Sequence, residues 1–242
     1  MTESRPAFYA LQPGGWRDYL TLLHPPYTLW HLSYVAIGAA LAPELTVERL
    51  VVALAAFFLA VGIGAHALDE LHGHPLQTRI SDRTLIVLSA LSIGGAVALG
   101  VYGSIAYTMW LAPMVVAGGF IVVAYNLELF RGAFHSDVWF AVAWGSFPLL
   151  AAYLAVAERI TVEALVAAVF AGFLSLAQRH LSTQVRTVRR RVTAVSGTLE
   201  LTGGELREIT AATLTSAPVA ALRAMTVAVV SLAVSLVVLR LT

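Results

Sequence analysis

Histidines and carboxylates that could share one site gather at the end of the second apolar segment of this sequence. His66, Asp69 and Glu70 close that segment, and the histidine precedes the two acids by three and four residues. In a helix, side chains at those spacings project from one face. Ionisable groups at membrane depth are costly and usually face the interior of a bundle. The spacing therefore predicts a shared site, with Asp69 and Glu70 as its catalytic carboxylates.

Three more residues of the same chemistry close or flank other apolar segments. They are Glu128, His135 and His180. Neutral imidazoles and carboxylates together are ligands for zinc or iron, and bundles build such sites from facing helices. We call the six residues the predicted metal set: His66, Asp69, Glu70, Glu128, His135 and His180. The alternative for each of them is helix capping, headgroup contact or mutual hydrogen bonding.

The remaining histidines and the arginines leave two questions open. Whether the other four histidines join the site depends on loop geometry; they are His24, His31, His72 and His74. Arg79, Arg131 and Arg186 are expected to hold an anionic headgroup. The basic run from Arg186 to Arg191 is most simply a topology anchor on anionic lipid, and binding of a diphosphate headgroup is the alternative.

The composition predicts the elements that must carry these residues. Of the 242 residues, 59% are hydrophobic and 12% are charged, whereas about a quarter of a soluble domain is charged. A spanning helix needs roughly 20 apolar residues. We therefore expect an all-α, polytopic bundle forming one membrane domain over residues 1–242. Its seven predicted spans are 26–43, 47–68, 84–103, 105–126, 138–157, 161–181 and 221–239.

Arginine counts predict the orientation of this bundle. Residues 1–20 and the longer connections hold most of the arginines, whereas the opposite connections hold only Arg49 and Arg159. By the positive-inside rule the N-terminus is cytoplasmic, in a bacterial-type plasma membrane. The 182–220 connection carries the basic run and a possible surface helix over 205–222.

A net charge of +1 gives no field for nucleic acid, so the expected partner is a membrane lipid.

Three stretches resemble the UbiA superfamily of intramembrane prenyltransferases, over roughly residues 18–200. Leu23-His24-Pro25-Pro26 is similar to the entry to the family's first helix, and 69–81 is similar to its first aspartate-rich motif and following loop. Phe130-Arg131-Gly132, after Tyr125, resembles the opening of the family's second half. The resemblance implies a UbiA-like helical fold and transfer from an isoprenoid diphosphate, with magnesium held by two aspartate-rich motifs.

The sequence departs from those motifs at particular positions. His66 stands where the first aspartate is expected, and Gly73 stands where the third is expected. The stretch 178–186, where the second motif should fall, contains no acid. Three functions stay open: a zinc- or iron-dependent enzyme on an isoprenoid or long-chain lipid, a magnesium-dependent prenyltransferase, and a non-catalytic metal- or haem-binding subunit. In the second, magnesium would be held by Asp69, Glu70 and Glu128.

Overall fold

A computed structural model describes residues 6–242 as a bundle of helices with one short β-hairpin. Eight helices occur in this part of the chain: α1 Trp16–Leu22, α2 Pro25–Leu41, α3 Val47–Leu71, α4 Asp82–Ala106, α5 Leu111–Asn126, α6 Asp137–Ala157, α7 Val162–Arg191 and α8 Ala211–Leu241. A single turn, Leu129–Gly132, lies between α5 and α6. The antiparallel strands are β1 Thr198–Glu200 and β2 Leu206–Glu208.

Five of these helices are long and apolar enough to cross a membrane: α3, α4, α6, α7 and α8. The apolar helix α5 has 16 residues, which gives a length of about 24 Å, and a bilayer core is about 30 Å thick. Helix α2 has 17 residues. The expected all-helical architecture is confirmed, while the count of about seven spans stays a prediction.

Helix α2 is the central element of the bundle and packs between α6 and α8. Its small residues allow close approach: a Cβ added to Gly38 would lie 2.2 Å from the carbonyl oxygen of Leu149. Polar side chains also join α2 to α7. The buried Tyr34 hydroxyl accepts from Trp30 Nε1 at 2.6 Å and from Ser175 Oγ at 3.1 Å.

Two helices contain π-helical stretches, which change the face that the following residues present. One stretch, Phe58–Ala65, ends immediately before His66 in α3. The other, Val142–Ser146, contains Trp144 in α6. π-Helical stretches are rare in proteins, and those that occur are frequently found at functional sites. Both lie beside the cavity described below.

The connection between the last two helices differs from the sequence prediction. Helix α7 continues to Arg191 instead of ending near 181, because no glycine or proline interrupts it after Gly172. Of the surface helix predicted over 205–222, residues 206–208 form strand β2 and residues 211–222 form the first turns of α8. Gly203 and Gly204 adopt φ of 111° and 83°, which suits the hairpin turn between β1 and β2. Helix α8 then begins after the Thr210 cap.

Candidate functional site

A cavity of about 390 Å³ lies at the end of the bundle that carries the N-terminal segment and the 127–136 turn. We call it the polar cavity, and the matching end of the bundle the polar end. Its walls come from residues 6–9, from α2, α3, α6 and α7, and from the end of α5 with the turn that follows. The cavity therefore lies where these elements of the bundle meet.

Two arginines of α7 bring positive charge to this cavity. Arg186 and Arg190 both line it, and their spacing of four residues places them on one face of the helix. Arg186 donates to Thr183 Oγ1 at 2.9 Å, and Arg190 Nε donates to the carbonyl of Pro6 at 3.2 Å. Within residues 6–242 neither arginine forms an ion pair. Their charges are therefore free to attract an anion.

A third arginine of α7 is used for positioning. Arg179 forms an ion pair with Asp137 and donates a hydrogen bond to the Tyr125 hydroxyl. Its guanidinium also lies 5.0 Å from the ring centre of Phe140. These contacts hold Tyr125 and Phe140 as part of the cavity wall.

Asp69 supplies a carboxylate to the same cavity. Its side chain is half-buried and lines the cavity. It lies within electrostatic reach of Arg186, Arg190 and His135. In the described part of the chain its carboxylate makes no hydrogen bond or ion pair. An acid and two free cations therefore share one compartment.

The tautomers of three cavity histidines follow from their partners. Nδ1 of His31, His66 and His135 each contacts a backbone carbonyl, which can only accept, so Nδ1 must carry the proton. In the neutral ring, Nε2 then keeps a free lone pair. The accepting carbonyls are those of Trp144 at 2.7 Å, Gly62 at 3.2 Å and Tyr125 at 3.1 Å, respectively.

His24 completes this group from the start of α2. Its ring stacks on that of His66, with centres 4.0 Å apart and planes 12° apart. Its Nδ1 lies 2.9 Å from the Tyr9 hydroxyl, and its buried Nε2 has no partner among residues 6–242. Burial lowers the pKa of His24 well below its usual range, and the neighbouring His66 lowers it further. Burial also raises the pKa of Tyr9.

The structure brings only part of the predicted metal set together. His66, Asp69, Glu128 and His135 line the polar cavity, whereas Glu70 and His180 do not. His180 is exposed on α7. Within residues 6–242, no three histidines or carboxylates are placed to hold a metal ion.

Glu70, predicted as a catalytic carboxylate and metal ligand, lies outside the cavity and binds a loop of the protein itself. Its side chain is fully buried. Its oxygens accept from Leu76 N at 2.8 Å, from Thr78 N at 2.9 Å and from Thr78 Oγ1 at 2.8 Å. These bonds fold the 72–81 loop back onto the end of α3. The loop thus occupies most of the acceptor sites of this carboxylate.

Among the three predicted headgroup arginines, only Arg186 lines the cavity, and Arg79 and Arg131 are exposed outside it. Sequence reasoning placed Arg190 only in the basic run, missed the buried Gln178, and left the roles of His24 and His31 open. A spacing signal was present: 178, 182, 186 and 190 repeat every four residues, which is the period of a helix face.

An apolar groove adjoins the polar cavity. It has a volume of about 120 Å³ and lies between α3, α4, α5 and α6. Val61 and Trp144 line both spaces. At its far end the groove reaches Arg49 and Tyr107, where Arg49 pairs with Glu158 at 2.7 Å. The combined space suits a molecule with a polar head and an apolar tail.

Comparison of the chain with known protein families, with curated proteins and with solved structures found no match.

Proposed function

We propose that the protein is an integral-membrane enzyme of UbiA-like architecture that acts on an isoprenoid or other long-chain lipid with a phosphate or diphosphate headgroup. The observation that carries the proposal is the junction at Val61 and Trp144, where the apolar groove meets the polar cavity. Arg186 and Arg190 receive the anionic headgroup, and the groove receives the start of the tail. Arginine is well suited to phosphate because its planar fork donates two parallel hydrogen bonds.

The chemistry assigned to these residues is neutralisation of a leaving phosphate. When the bond between the lipid carbon and the phosphate oxygen breaks, negative charge grows on that oxygen. Fixed cations in a site partly shielded from water stabilise such charge strongly. Asp69 stabilises the positive charge that develops on the lipid carbon.

Metal dependence is a second candidate, supported by the histidine geometry. Ligating histidines usually donate the other ring N–H to a carbonyl or carboxylate, as His31, His66 and His135 donate here. Within residues 6–242 no three histidines or carboxylates lie together as a ligand group, so a metal would need a further ligand from the substrate or from solvent. Elemental mass spectrometry of protein purified without added metal tests this candidate, and near-stoichiometric zinc or iron would support it.

Binding of farnesyl diphosphate to the detergent-purified protein tests the main proposal. We expect the double variant Arg186→Gln/Arg190→Gln to bind at least about tenfold more weakly than the wild type, because two charge-assisted hydrogen bonds are lost. The matched control is Arg131→Gln/Arg79→Gln, which removes two exposed arginines outside the cavity. Equal affinity of the two double variants would overturn the headgroup assignment.

A further inference from the structure

The N-terminal residues 6–10 lie against the polar cavity and form part of its wall. Residues 6–9 line the cavity, and a hydrogen bond of 3.2 Å from Ala10 N to the carbonyl oxygen of Ala7 closes a turn in this segment. We call residues 6–10 the strap. The strap precedes the 18–200 region that resembles the UbiA superfamily, so the resemblance assigns no role to it.

The strap occupies a hydrogen-bond donor of one cavity arginine. Arg190 Nε donates to the carbonyl oxygen of Pro6 at 3.2 Å, and Arg190 is one of the two arginines that we propose to receive the headgroup. A guanidinium binds an anionic phosphate oxygen more strongly than a neutral carbonyl oxygen, because charge on both partners assists the bond. The strap therefore holds the place of an anion with a weaker acceptor.

Aromatic contacts fasten the middle of the strap to the bundle. The centre of the Phe8 ring lies 6.3 Å from that of Tyr27 and 5.6 Å from the guanidinium carbon of Arg223. The Tyr9 hydroxyl lies 2.9 Å from Nδ1 of His24. Together with the arginine contact, these interactions join the strap to α2, α7 and α8 at the polar end.

The chain is anchored immediately after the strap. Leu11 N donates to Thr21 Oγ1 at 3.0 Å, and Gly14 N donates to Asp18 Oδ1 at 2.9 Å. These bonds fix the chain to α1, so the strap can move about this anchor while the spanning helices stay in place. A short terminal segment of this kind opens at a low free-energy cost compared with a packed helix.

We infer that the strap is an autoinhibitory element, which competes with the anionic headgroup for Arg190 and is displaced when the headgroup binds. The identity of the ligand rests on the proposed function. Arg190 Nε carries a single hydrogen, so the Pro6 carbonyl and a phosphate oxygen exclude each other there. The closed strap therefore lowers the apparent affinity for the ligand in proportion to the fraction of molecules in which it is closed.

Cysteine labelling measures the position of the strap, since the chain contains no cysteine. Ala7 is 7% exposed, so Ala7→Cys should react slowly with a maleimide in the detergent-purified full chain. Saturating farnesyl diphosphate should increase this rate at least about threefold. Two controls should not respond to the ligand: Thr202→Cys, in the exposed hairpin turn, should react fast, and Ala42→Cys, buried at the other end of α2, should react slowly.

A variant without ligand tests the arginine contact separately. Arg190→Leu in the Ala7→Cys background removes the donor to Pro6 and should raise the labelling rate at least about threefold with no ligand present. The matched control Arg131→Leu removes an exposed arginine outside the cavity and should leave the rate unchanged. Slow labelling of Ala42→Cys in the Arg190→Leu background identifies a folded bundle.

Loosening the strap should also strengthen ligand binding. Phe8→Ala removes the ring contacts with Tyr27 and Arg223, and we expect farnesyl diphosphate to bind at least about threefold more tightly than to the wild type. If Phe8 only contacted the ligand, its truncation would weaken binding instead. The control Trp16→Ala truncates a ring that is 68% exposed on α1 and should bind as the wild type.

Three results would each overturn the inference: an unchanged labelling rate in Arg190→Leu, slower labelling when farnesyl diphosphate is added, or wild-type or weaker affinity in Phe8→Ala. Slower labelling would show a lid that closes over the ligand. Failure of the proposed function is distinguishable, since the wild type would then bind no farnesyl diphosphate while Arg190→Leu would still speed labelling. That result would overturn the competition with a headgroup and keep the contact between the strap and Arg190.

Discussion

Asp69 and Glu70 are adjacent on α3, yet their carboxylates have opposite environments. Glu70 is fully buried and accepts three hydrogen bonds from the 72–81 loop, whereas Asp69 faces the polar cavity without such a bond. One side chain therefore stabilises the fold, and the other is available to a ligand.

Amide substitution at the two positions is expected to separate these roles. Glu70→Gln places an NH₂ group against a backbone donor and should destabilise the protein by about 1–3 kcal/mol, the cost of a broken buried hydrogen bond. Asp69→Asn should leave the melting temperature nearly unchanged and lower turnover of the lipid diphosphate. Thermal denaturation in detergent together with a phosphate-release assay measures both. The same melting temperature for both variants would contradict the structural role of Glu70.

The pKa of His24 predicts how stability depends on pH. Burial keeps the folded-state pKa well below that of the unfolded chain, which is about 6.5. Below pH 6.5 the unfolded state therefore binds more protons, and stability falls as the pH is lowered. The contribution of one such group is at most about 1.4 kcal/mol per pH unit, and it vanishes above about pH 7.

Replacing His24 by glutamine should therefore make the stability of the protein depend less steeply on pH below pH 6.5. The measurement is the melting temperature from pH 7.5 to pH 5 for the wild type, His24→Gln and the exposed control His180→Gln. The control should keep the wild-type slope. An unchanged slope in His24→Gln would show that this residue is not buried in the neutral form.

At the scale of elements, close approach between α2 and α6 depends on one glycine. A Cβ at Gly38 would meet the backbone oxygen of Leu149 at 2.2 Å, whereas a Cβ at Gly94 would meet no atom of the described chain within 4 Å. Gly38→Ala should therefore destabilise the bundle by about 1–3 kcal/mol. Gly94→Ala should be neutral or slightly stabilising, because alanine favours a helix. The measurement is thermal denaturation, and equal melting temperatures would contradict this packing.

Hydropathy predicted those helices that coincide with one uninterrupted run of apolar residues, because such a run can be read directly from the sequence. The spans expected over 84–103 and 138–157 correspond to α4 and α6 with small differences at their ends. The grouping of His66 with Asp69 followed from helical spacing. The role of Glu70 could not be predicted, because its donors come from a loop that folds back. The π-helical stretches, which depend on tertiary packing, were missed as well.

The continuation of α7 shows a different reason for error. Charge was interpreted as the end of a membrane span, so the arginines from 186 onward were assigned to a connection. In the structure the helix extends beyond the apolar window and turns Arg186 and Arg190 toward the cavity. Their spacing of four residues was enough to predict that they share one face of a helix. What that face contacts could be known only from the folded structure.

At the scale of the molecule, the arginine distribution predicts that the polar end is cytoplasmic. Reporter fusions at residue 76, in the loop held by Glu70, and at residue 160, between α6 and α7, test this orientation. We expect a cytoplasmic signal from the first fusion and an external signal from the second. The reverse pattern would place the polar cavity on the outer face of the membrane.

The most direct test of the central claim compares a whole amphiphile with its two halves. The adjoining groove and polar cavity should bind farnesyl diphosphate much more tightly than either farnesol or inorganic pyrophosphate, because one molecule fills both spaces at once. Calorimetry on the detergent-purified protein measures the three affinities under one condition. Tighter binding of the amphiphile than of both halves is the predicted result. Equal affinity for farnesol and farnesyl diphosphate would contradict it, since the arginines of the cavity would then contribute nothing to recognition.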